Sequence, residues 1–427
     1  MSKLKEKINQ LFIPGSFKLN VATMFSGTVI SQAIYLLLYP ILTRIYSPTN
    51  FGQFAIFITF LSILTVISTG QYELAILLPK KKSNFKSIIY GVIIISFISS
   101  ILITIILFLL FPILQKYNLI ISFNLIYIIG ISIFINSLYQ IGFQLSIRFK
   151  NFKSISTINI INVFTSILFQ FLLSKTSLKD IGLVIGYMIG TLAAVIFLYL
   201  KNKKIFIIND TKKLFLNIKK QLIRYKKFPI FNLPATLVNL SANQAPNILL
   251  NTFGQSIIGH FSLSQRILGS PITLFSSSIT HVFKERASSD YRKYGSCRDI
   301  FIKTFKSLFL ISFIPFILIY IFSPKYISII FGSEWQTAGI YIRALTIMYF
   351  FKFTISPLTY IIIIAEKQNL NLILQILLLI VTIISIYFGI IQNNSLISIK
   401  MFSISYSLIY LIFFLFSFNL SKNKNYI

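Results

Sequence analysis

Long apolar runs dominate this chain, and their length limits what it can fold into. An α-helix needs about 20 apolar residues to cross ~30 Å of hydrocarbon, whereas a strand of a membrane barrel needs only about 10 that alternate. Hydrophobic residues make up 56% of the chain and charged residues only 11%, far below the roughly one quarter of soluble domains. The sequence therefore predicts an all-α integral membrane protein.

Breaks at charged, proline, glycine and asparagine residues divide these runs into about twelve predicted spans. Their limits are 19–43, 52–78, 87–112, 119–145, 154–174, 180–200, 228–252, 256–282, 303–323, 337–364, 369–391 and 397–420.

Lysine and arginine cluster after the even-numbered spans, which sets the predicted orientation. The short loops there hold Lys80, Lys81, Lys82 and Lys86; Arg148, Lys150 and Lys153; Lys284, Arg286, Arg292 and Lys293; and Lys422 and Lys424. Because basic loops stay in the cytoplasm, both termini are predicted to be cytoplasmic. Lys3, Lys5 and Lys7 precede the first span without a cleavage site, so that segment is predicted to be retained.

The chain divides into two similar halves. The predicted domains are a six-helix bundle at 1–200, a basic cytoplasmic linker at 201–227 and a second six-helix bundle at 228–427. The linker is either an amphipathic helix on the anionic leaflet or a solvated loop. Gly52-Gln53-Phe54 recurs as Gly259-His260-Phe261, 207 positions later. With six spans per half the repeats are parallel, and such folds place the substrate pathway between the halves.

Polar residues follow one face of several predicted spans. The faces are Asn232, Thr236, Asn239, Asn243, Asn247 and Asn251 on span seven, Arg266, Ser270, Thr273, Ser277 and Thr280 on span eight, and Thr28, Ser31, Gln32, Tyr35 and Tyr39 on span one. Each unsatisfied polar group in hydrocarbon costs on the order of several kcal/mol, so these faces must contact water or protein. Packing between helices is the alternative to lining a lumen.

The ionisable residues inside spans are mostly cations. Arg266 is predicted near mid-depth, Lys352 at a similar depth, and Arg343 and Arg44 nearer the outer surface. Glu73 is the one acidic residue predicted inside a span, which makes it the only candidate for ion coupling. Cations in the membrane favour an anionic substrate. The alternatives are snorkelling to the interface for Arg343, Arg44 and Lys352, and pairing with Lys80 to Lys82 for Glu73.

Several function classes are disfavoured. The net charge of +31 suggests nucleic acid, but the basic residues lie in short loops, and genome composition is an alternative source of the bias. Cys297, His260 and His281 form no metal-ligand pattern, and no catalytic constellation or cofactor motif is visible. The sequence predicts neither an enzyme nor a cofactor.

The first span and the loop after it resemble those of a known family. Ser31-Gln32-Ala33, Tyr39-Pro40-Ile41-Leu42-Thr43-Arg44, Tyr46-Ser47-Pro48 and Phe51-Gly52-Gln53-Phe54 are similar to Wzx-type polysaccharide flippases. That family belongs to the multidrug/oligosaccharidyl-lipid/polysaccharide (MOP) superfamily, with the MATE extruders and the peptidoglycan-precursor flippases.

The resemblance implies transport of an undecaprenyl-pyrophosphate-linked oligosaccharide, of O-antigen or capsule type, to the outer leaflet of a bacterial plasma membrane. Its partners would be membrane lipids and other polysaccharide-assembly proteins. Arg266, Lys352, Arg343 and Arg44 would escort the pyrophosphate. The sugars would bind the polar lumen at Asn232, Asn239, Asn243, Asn247, Ser270, Thr273, Gln32 and Tyr35. The alternatives are a multidrug or metabolite extruder of the same fold and a membrane polymerase or ligase.

Overall fold

A computed structural model describes residues 17–119, 123–206, 211–272 and 277–422, and these residues are mainly helical, with no strand among them. The helices are α1 (Phe17–Ile45), α2 (Pro48–Thr69), α3 (Lys82–Leu109), α4 (Phe111–Lys116), α5 (Phe123–Arg148), α6 (Phe152–Leu173), α7 (Gly182–Asn202), α8 (Thr211–Arg224), α9 (Leu233–Leu249), α10 (Gln255–Pro271), α11 (Ser277–Tyr294), α12 (Arg298–Phe331), α13 (Gln336–Ile355), α14 (Ile361–Ile364), α15 (Gln368–Ile391) and α16 (Ser395–Lys422). The all-α prediction is confirmed.

Ten stretches of described helix are long and apolar enough to cross a membrane. The two predicted spans missing from that set are the seventh and eighth, which carry the polar faces. Helices α9 and α10 have only 17 residues each. A π-helical turn at Phe228–Asn232 precedes α9, and a 3-10 turn at Leu250–Phe253 follows it. Their shorter length and irregular ends therefore set these two helices apart from the ten longer apolar ones.

The contacts divide the chain into two compact units. The first comprises Met1–Leu42 and Phe57–Leu237, and the second comprises Thr43–Ile56 and Val238–Ile427. The link between α1 and α2, together with the first two turns of α2, thus belongs to the second unit although it precedes most of the first in sequence.

Small residues allow close helix packing in the first unit. Helices α6 and α7 pack along their length. A side chain on Gly186 or Gly190 would collide with the backbone of α6 at Gln170 or Ser166. Close approach of this kind is how helices associate where lipid replaces water. An apolar core that includes Ile76, Phe85 and Ile89 joins α3, α5 and the 3-10 turn after α2.

The second unit is built around α13. This helix packs against α10, α12 and α16, and α15 packs against α16. Ser264 on α10 donates a hydrogen bond to the carbonyl of Ala338 on α13 (3.0 Å), so the middle of α10 meets the first turn of α13 closely. All four cations predicted to bind the substrate, Arg44, Arg266, Arg343 and Lys352, belong to this unit.

The predicted end of the second span, at residue 78, is wrong. Helix α2 ends at Thr69, and Gly70 and Gln71 adopt left-handed backbone conformations with φ of 57° and 61°. The chain continues as a 3-10 turn over Tyr72–Leu77. Glu73 is therefore in that turn and not in the span. Apolar residues continue beyond Gly70, and hydropathy alone does not register a helix break that two left-handed residues impose.

Candidate functional site

Two glycines let α2 and α10 cross at very short range in the second unit. A Cβ on Gly52 would lie 2.6 Å from the carbonyl carbon of Gln255, and a Cβ on Gly259 would lie 2.7 Å from that of Pro48. Gly259 and Gln255 stand 207 positions after Gly52 and Pro48, which is the offset of the sequence repeat. The two contacts are therefore equivalent, and the repeat extends to reciprocal backbone packing.

The only tryptophan of the chain fixes the α1–α2 link within the second unit. The Trp335 indole N–H donates to the carbonyl oxygen of Thr43 (2.9 Å) and is fully buried. Its ring packs edge-on against Phe51 and His260, with centroid distances of 5.0 and 5.5 Å. A buried hydrogen bond and two aromatic contacts thus hold residues 43–56 beside the start of α10.

Helix α10 carries Arg266 at its twelfth residue. The Arg266 side chain is half-buried. Ser270, one turn later, is buried and donates its hydroxyl to the Arg266 carbonyl (2.8 Å). That hydroxyl therefore satisfies a helix carbonyl. Thr273, predicted on the same face, lies outside the described residues.

The asparagines on one face of α9 are exposed in the middle of the helix and buried toward its end. Asn239 and Asn243 are exposed; the Asn239 amide donates to Gln375 on α15 (3.2 Å), and the Asn243 amide donates to the Asn239 carbonyl (2.8 Å). Asn247 and Asn251 are buried. In the first unit, exposed Asn232 donates to Gln71 (3.0 Å). The exposed members can meet a polar ligand, whereas the buried ones pack.

Lys352 lies in an aromatic setting on α13. It is half-buried, and its ammonium is 5.7 Å from the ring centroids of both Tyr349 and Tyr406. Tyr406 in turn stacks on Tyr410 at 5.2 Å. Aromatic faces attract a cation without taking up its N–H donors, so the Lys352 ammonium can also bind an anion.

Arg266 and Lys352 lie at different levels of the α10–α13 contact. Ser264 meets Ala338, and Gly269 lies opposite Tyr349. With a rise of 1.5 Å per residue, Lys352 is about two to three helical turns further along than Arg266. The similar depth in the membrane that the sequence suggests for these two cations stays a prediction.

Arg343 hydrogen-bonds backbone carbonyls of α12 next to a proline in that helix. Its guanidinium donates to the carbonyls of Tyr320 (3.1 Å) and Ile321 (3.3 Å) on α12. Pro324 lies four residues after Tyr320 and has no N–H to bond that carbonyl. The arginine supplies the missing donor, at an exposed position.

Arg44 has a comparable role at the end of the same helix. Its guanidinium donates to the carbonyl of Ile329 (3.2 Å), in the last turn of α12. The final carbonyls of a helix lack intrahelical donors, and arginine commonly satisfies them. Arg44 and Arg343 thus both hold α12 carbonyls, which separates them from Arg266 and Lys352.

The first-unit candidates Gln32 and Tyr35 lie half-buried on α1. The Tyr35 ring is 4.7 Å from that of Tyr39, one turn further on. Both side chains remain candidates for polar contact with a sugar.

Glu73 is buried in the 3-10 turn that follows α2. Burial raises the pKa of its carboxyl group above the ordinary value, while a hydrogen bond from Thr69 acts in the opposite direction. One carboxyl oxygen is buried without a hydrogen-bond partner among the described residues. Arg148 stabilises the turn by donating to the carbonyl of Ile76 (2.7 Å). The protonated acid suits this environment better than the carboxylate does.

The sequence did not predict the Gly52–Gly259 crossing or the position of Trp335. The matched glycines and the single tryptophan were visible in the sequence, but the sequence does not show which part of the chain packs against each of them. The carbonyl roles of Arg44 and Arg343 were also missed. Pro324, in the span beside Arg343, was the available signal for one of them.

Comparisons with known proteins agree on fold and family. The family model described as "Polysaccharide biosynthesis protein" matches residues 41–339. A search of curated proteins finds no match. Among solved structures, the chain is similar to the lipid II flippase MurJ in an inward closed conformation, with a TM-score of 0.75 and 15% identity over 94% of this chain and 87% of that one.

Two further structures share the fold. An inward-facing multidrug resistance MATE family transporter of the MOP superfamily has a TM-score of 0.68 and 14% identity, over 91% of this chain and 94% of that one. A MOP superfamily transporter from Pyrococcus furiosus has a TM-score of 0.59 and 14% identity, over 94% of each chain. The fold is thus that of MOP transporters, and, because the family match spans well over half of its residues, the chain belongs to the polysaccharide biosynthesis protein family.

Proposed function

We propose that this protein is a flippase that moves an undecaprenyl-pyrophosphate-linked oligosaccharide from the cytoplasmic to the outer leaflet of a bacterial plasma membrane by alternating access. Family membership supports a role in polysaccharide biosynthesis. The structural neighbour named as a lipid II flippase makes a lipid-linked saccharide the substrate class to test.

The distribution of charge inside the membrane carries the proposal. Lys352 lies in the candidate span Ser333–Ile364, in the last turn of α13, and Arg266 is the twelfth of the 17 residues of α10. Among the described spans, the acidic residues are Asp180, Asp299 and Glu334, each the second residue of its span. An organic cation would need a buried carboxylate, whereas a pyrophosphate needs cations. The spans therefore suit an anion.

The different positions of Arg266 and Lys352 along the α10–α13 contact suit a pyrophosphate head group that moves across the membrane. Arg266 and Lys352 occupy successive positions along the α10–α13 contact, so a pyrophosphate that leaves one can approach the other. Arginine offers a planar fork for phosphate oxygens, and lysine offers a point charge. The exposed amides of Asn239 and Asn243 on α9 supply neutral donors and acceptors of the kind that sugar hydroxyls require.

The test is Arg266→Ala in a strain that lacks the chromosomal gene. We expect loss of surface polysaccharide, with normal accumulation of the protein and a build-up of the lipid-linked repeat unit inside the cell. Arg286→Ala is the matched control, because Arg286 is an exposed arginine on α11. Surface polysaccharide at the wild-type level in the Arg266→Ala strain would contradict the site assignment.

The deletion strain also separates the competing functions. Unchanged polysaccharide together with increased drug susceptibility would identify a multidrug extruder. Single repeat units at the surface without long chains would identify a polymerase. Complete absence of surface repeat units, with the repeat unit accumulating on its lipid carrier, is the result that the flippase predicts.

A further inference from the structure

A basic cavity of about 1020 Å³ lies in the first unit, whereas the cations of α10 and α13 belong to the second. Helix α8 forms one wall, and the start of α3 with the residues before it forms the other. Four of its twelve lining residues are basic and none is acidic. The basic residues are Lys80, Lys81, Lys220 and Arg224. A cavity of this size holds a drug-sized ligand, and its charge selects an anion.

Specific hydrogen bonds hold the two walls together. The Asn217 amide on α8 donates to Asn84 (3.0 Å) and to the hydroxyl of Ser87 (3.0 Å), both on α3. The Tyr72 hydroxyl donates to the carbonyl of Leu222 (3.1 Å). Helix α8 therefore has a fixed position on α3, and its basic residues are held beside the cavity without needing a ligand to order them.

Two polar features of the cavity point to a phosphate ligand that also carries hydroxyl groups. The first backbone N–H groups of α3 have no side-chain cap, and Lys81, Ser83 and Asn84 line the cavity at that point. Uncapped N–H groups at the start of a helix favour phosphate oxygens. Gln221 also lines it and is only 2% exposed. Its amide donates to Asn217, but its oxygen has no partner among the described residues. A hydroxyl group of a ligand could satisfy that oxygen.

Exposed apolar side chains also line the cavity. Leu78 and Ile223 line it and are each more than half exposed. Phe215 and Leu216 on the same helix α8 are 62% and 77% exposed. Basic residues beside exposed apolar ones are the pattern by which a helix lies at the boundary of headgroups and acyl chains. The ligand is therefore expected to reach the cavity from the membrane.

We propose that this cavity binds the phosphate headgroup of an anionic membrane lipid on the side predicted to be cytoplasmic. The phosphate lies among Lys80, Lys81, Lys220 and Arg224, the headgroup hydroxyls face Gln221, and the acyl or prenyl chain leaves past Leu78 and Ile223. Two lipids share this chemistry: a phospholipid such as phosphatidylglycerol, and the prenyl pyrophosphate carrier. Only the second rests on the proposed function.

The alternative is that these basic residues only set the orientation of the chain in the membrane. In that case any basic residue of the segment would be equivalent. Lys219 and Lys226 provide the comparison, because both are exposed, close in sequence to Lys220 and Arg224, and absent from the cavity lining. A difference between the two pairs identifies a site.

The experiment uses the purified full-length protein in detergent. Three probes are titrated: short-chain phosphatidylglycerol, farnesyl pyrophosphate and inorganic pyrophosphate. The cavity variant is Lys220→Gln with Arg224→Gln, and the control is Lys219→Gln with Lys226→Gln. Since each basic residue near an anionic lipid contributes about fivefold in affinity, we expect roughly 25-fold weaker lipid binding in the cavity variant and little change in the control. Size-exclusion profiles and melting temperatures check that both variants fold.

The outcomes separate the site, its source of lipid and the transport function. Preference for phosphatidylglycerol identifies bulk lipid as the ligand, and preference for farnesyl pyrophosphate identifies the carrier. Equal losses in both variants, or binding of inorganic pyrophosphate alone, would overturn the proposal. A protein that binds phosphatidylglycerol in this cavity but moves no lipid-linked saccharide would keep this site and refute only the flippase.

Discussion

The crossing of α2 and α10 allows a quantitative test by adding a single carbon atom. The variants are Gly52→Ala and Gly259→Ala. Each new Cβ would lie 2.6 or 2.7 Å from a carbonyl carbon of the facing helix, whereas ordinary contacts are 3.4–4 Å. The carbonyl oxygens of Gln255 and Pro48 would lie closer still, so the backbones must separate by at least about 1 Å. Overpacking of this kind costs about 1–3 kcal/mol, and a backbone carbonyl cannot rotate away as a flexible side chain can.

A control lies on the same helix. Gly269 is also on α10, but a Cβ there would meet only the Tyr349 ring at 3.6 Å, an ordinary contact. Gly269→Ala should be neutral or slightly stabilising, because alanine favours the helix. A cost of about 2 kcal/mol would lower the apparent melting temperature by roughly 4–8 °C on the scale of soluble domains, measured on purified protein in detergent.

The double variant gives the sharper result. If Gly52 and Gly259 share one crossing, the separation that accommodates the first Cβ also makes room for the second. The double variant should then cost less than the sum of the single variants by at least about 1 kcal/mol. Strict additivity, or single variants as stable as Gly269→Ala, would refute the reciprocal contact.

Three further predictions concern polar and charged groups. Burial raises the pKa of Glu73 above its ordinary value of 4.5, so the stability that its protonated side chain contributes is present below pH 4.5 and is lost as pH rises through the pKa of the folded state. Glu73→Gln should therefore match wild type in melting temperature near pH 4.5 and exceed it increasingly toward pH 8. Lys352→Met should reduce lipid-linked oligosaccharide transport at least about tenfold without altering protein level, whereas Lys352→Arg retains part of it, as measured in proteoliposomes. Arg343→Met should destabilise the protein by about 1 kcal/mol, and by less when Pro324→Ala restores the missing helix donor, as followed by thermal melts.

The architecture was predictable because hydropathy and loop charge act locally. A run of apolar residues about as long as the hydrocarbon is thick has few alternatives to a helix, so the spans could be placed from sequence. Boundaries were less certain where apolar character and backbone geometry disagree. Leu77 and Leu78 continue an apolar run, yet Gly70 and Gln71 had already ended the helix.

The roles of individual side chains depended on tertiary contacts that no local pattern encodes. Arg343 looks like a lumen cation in sequence, because the unbonded carbonyl of Tyr320 lies on another helix. The amphipathic character of α8 indicates an apolar face but not what covers it. Its contact with α3 depends on the hydrogen bonds of Asn217 to Asn84 and Ser87, each more than 100 positions earlier in the chain.

The position of Trp335 gives the protein a built-in optical reporter. It is the only tryptophan in the chain, so emission excited beyond the tyrosine absorption band comes from one place. The indole is fully buried, donates to Thr43 and touches Phe51 and His260. Any motion that releases residues 43–56 would expose the ring and shift its emission to longer wavelength. Opening of this region can thus be timed in the unlabelled wild-type protein.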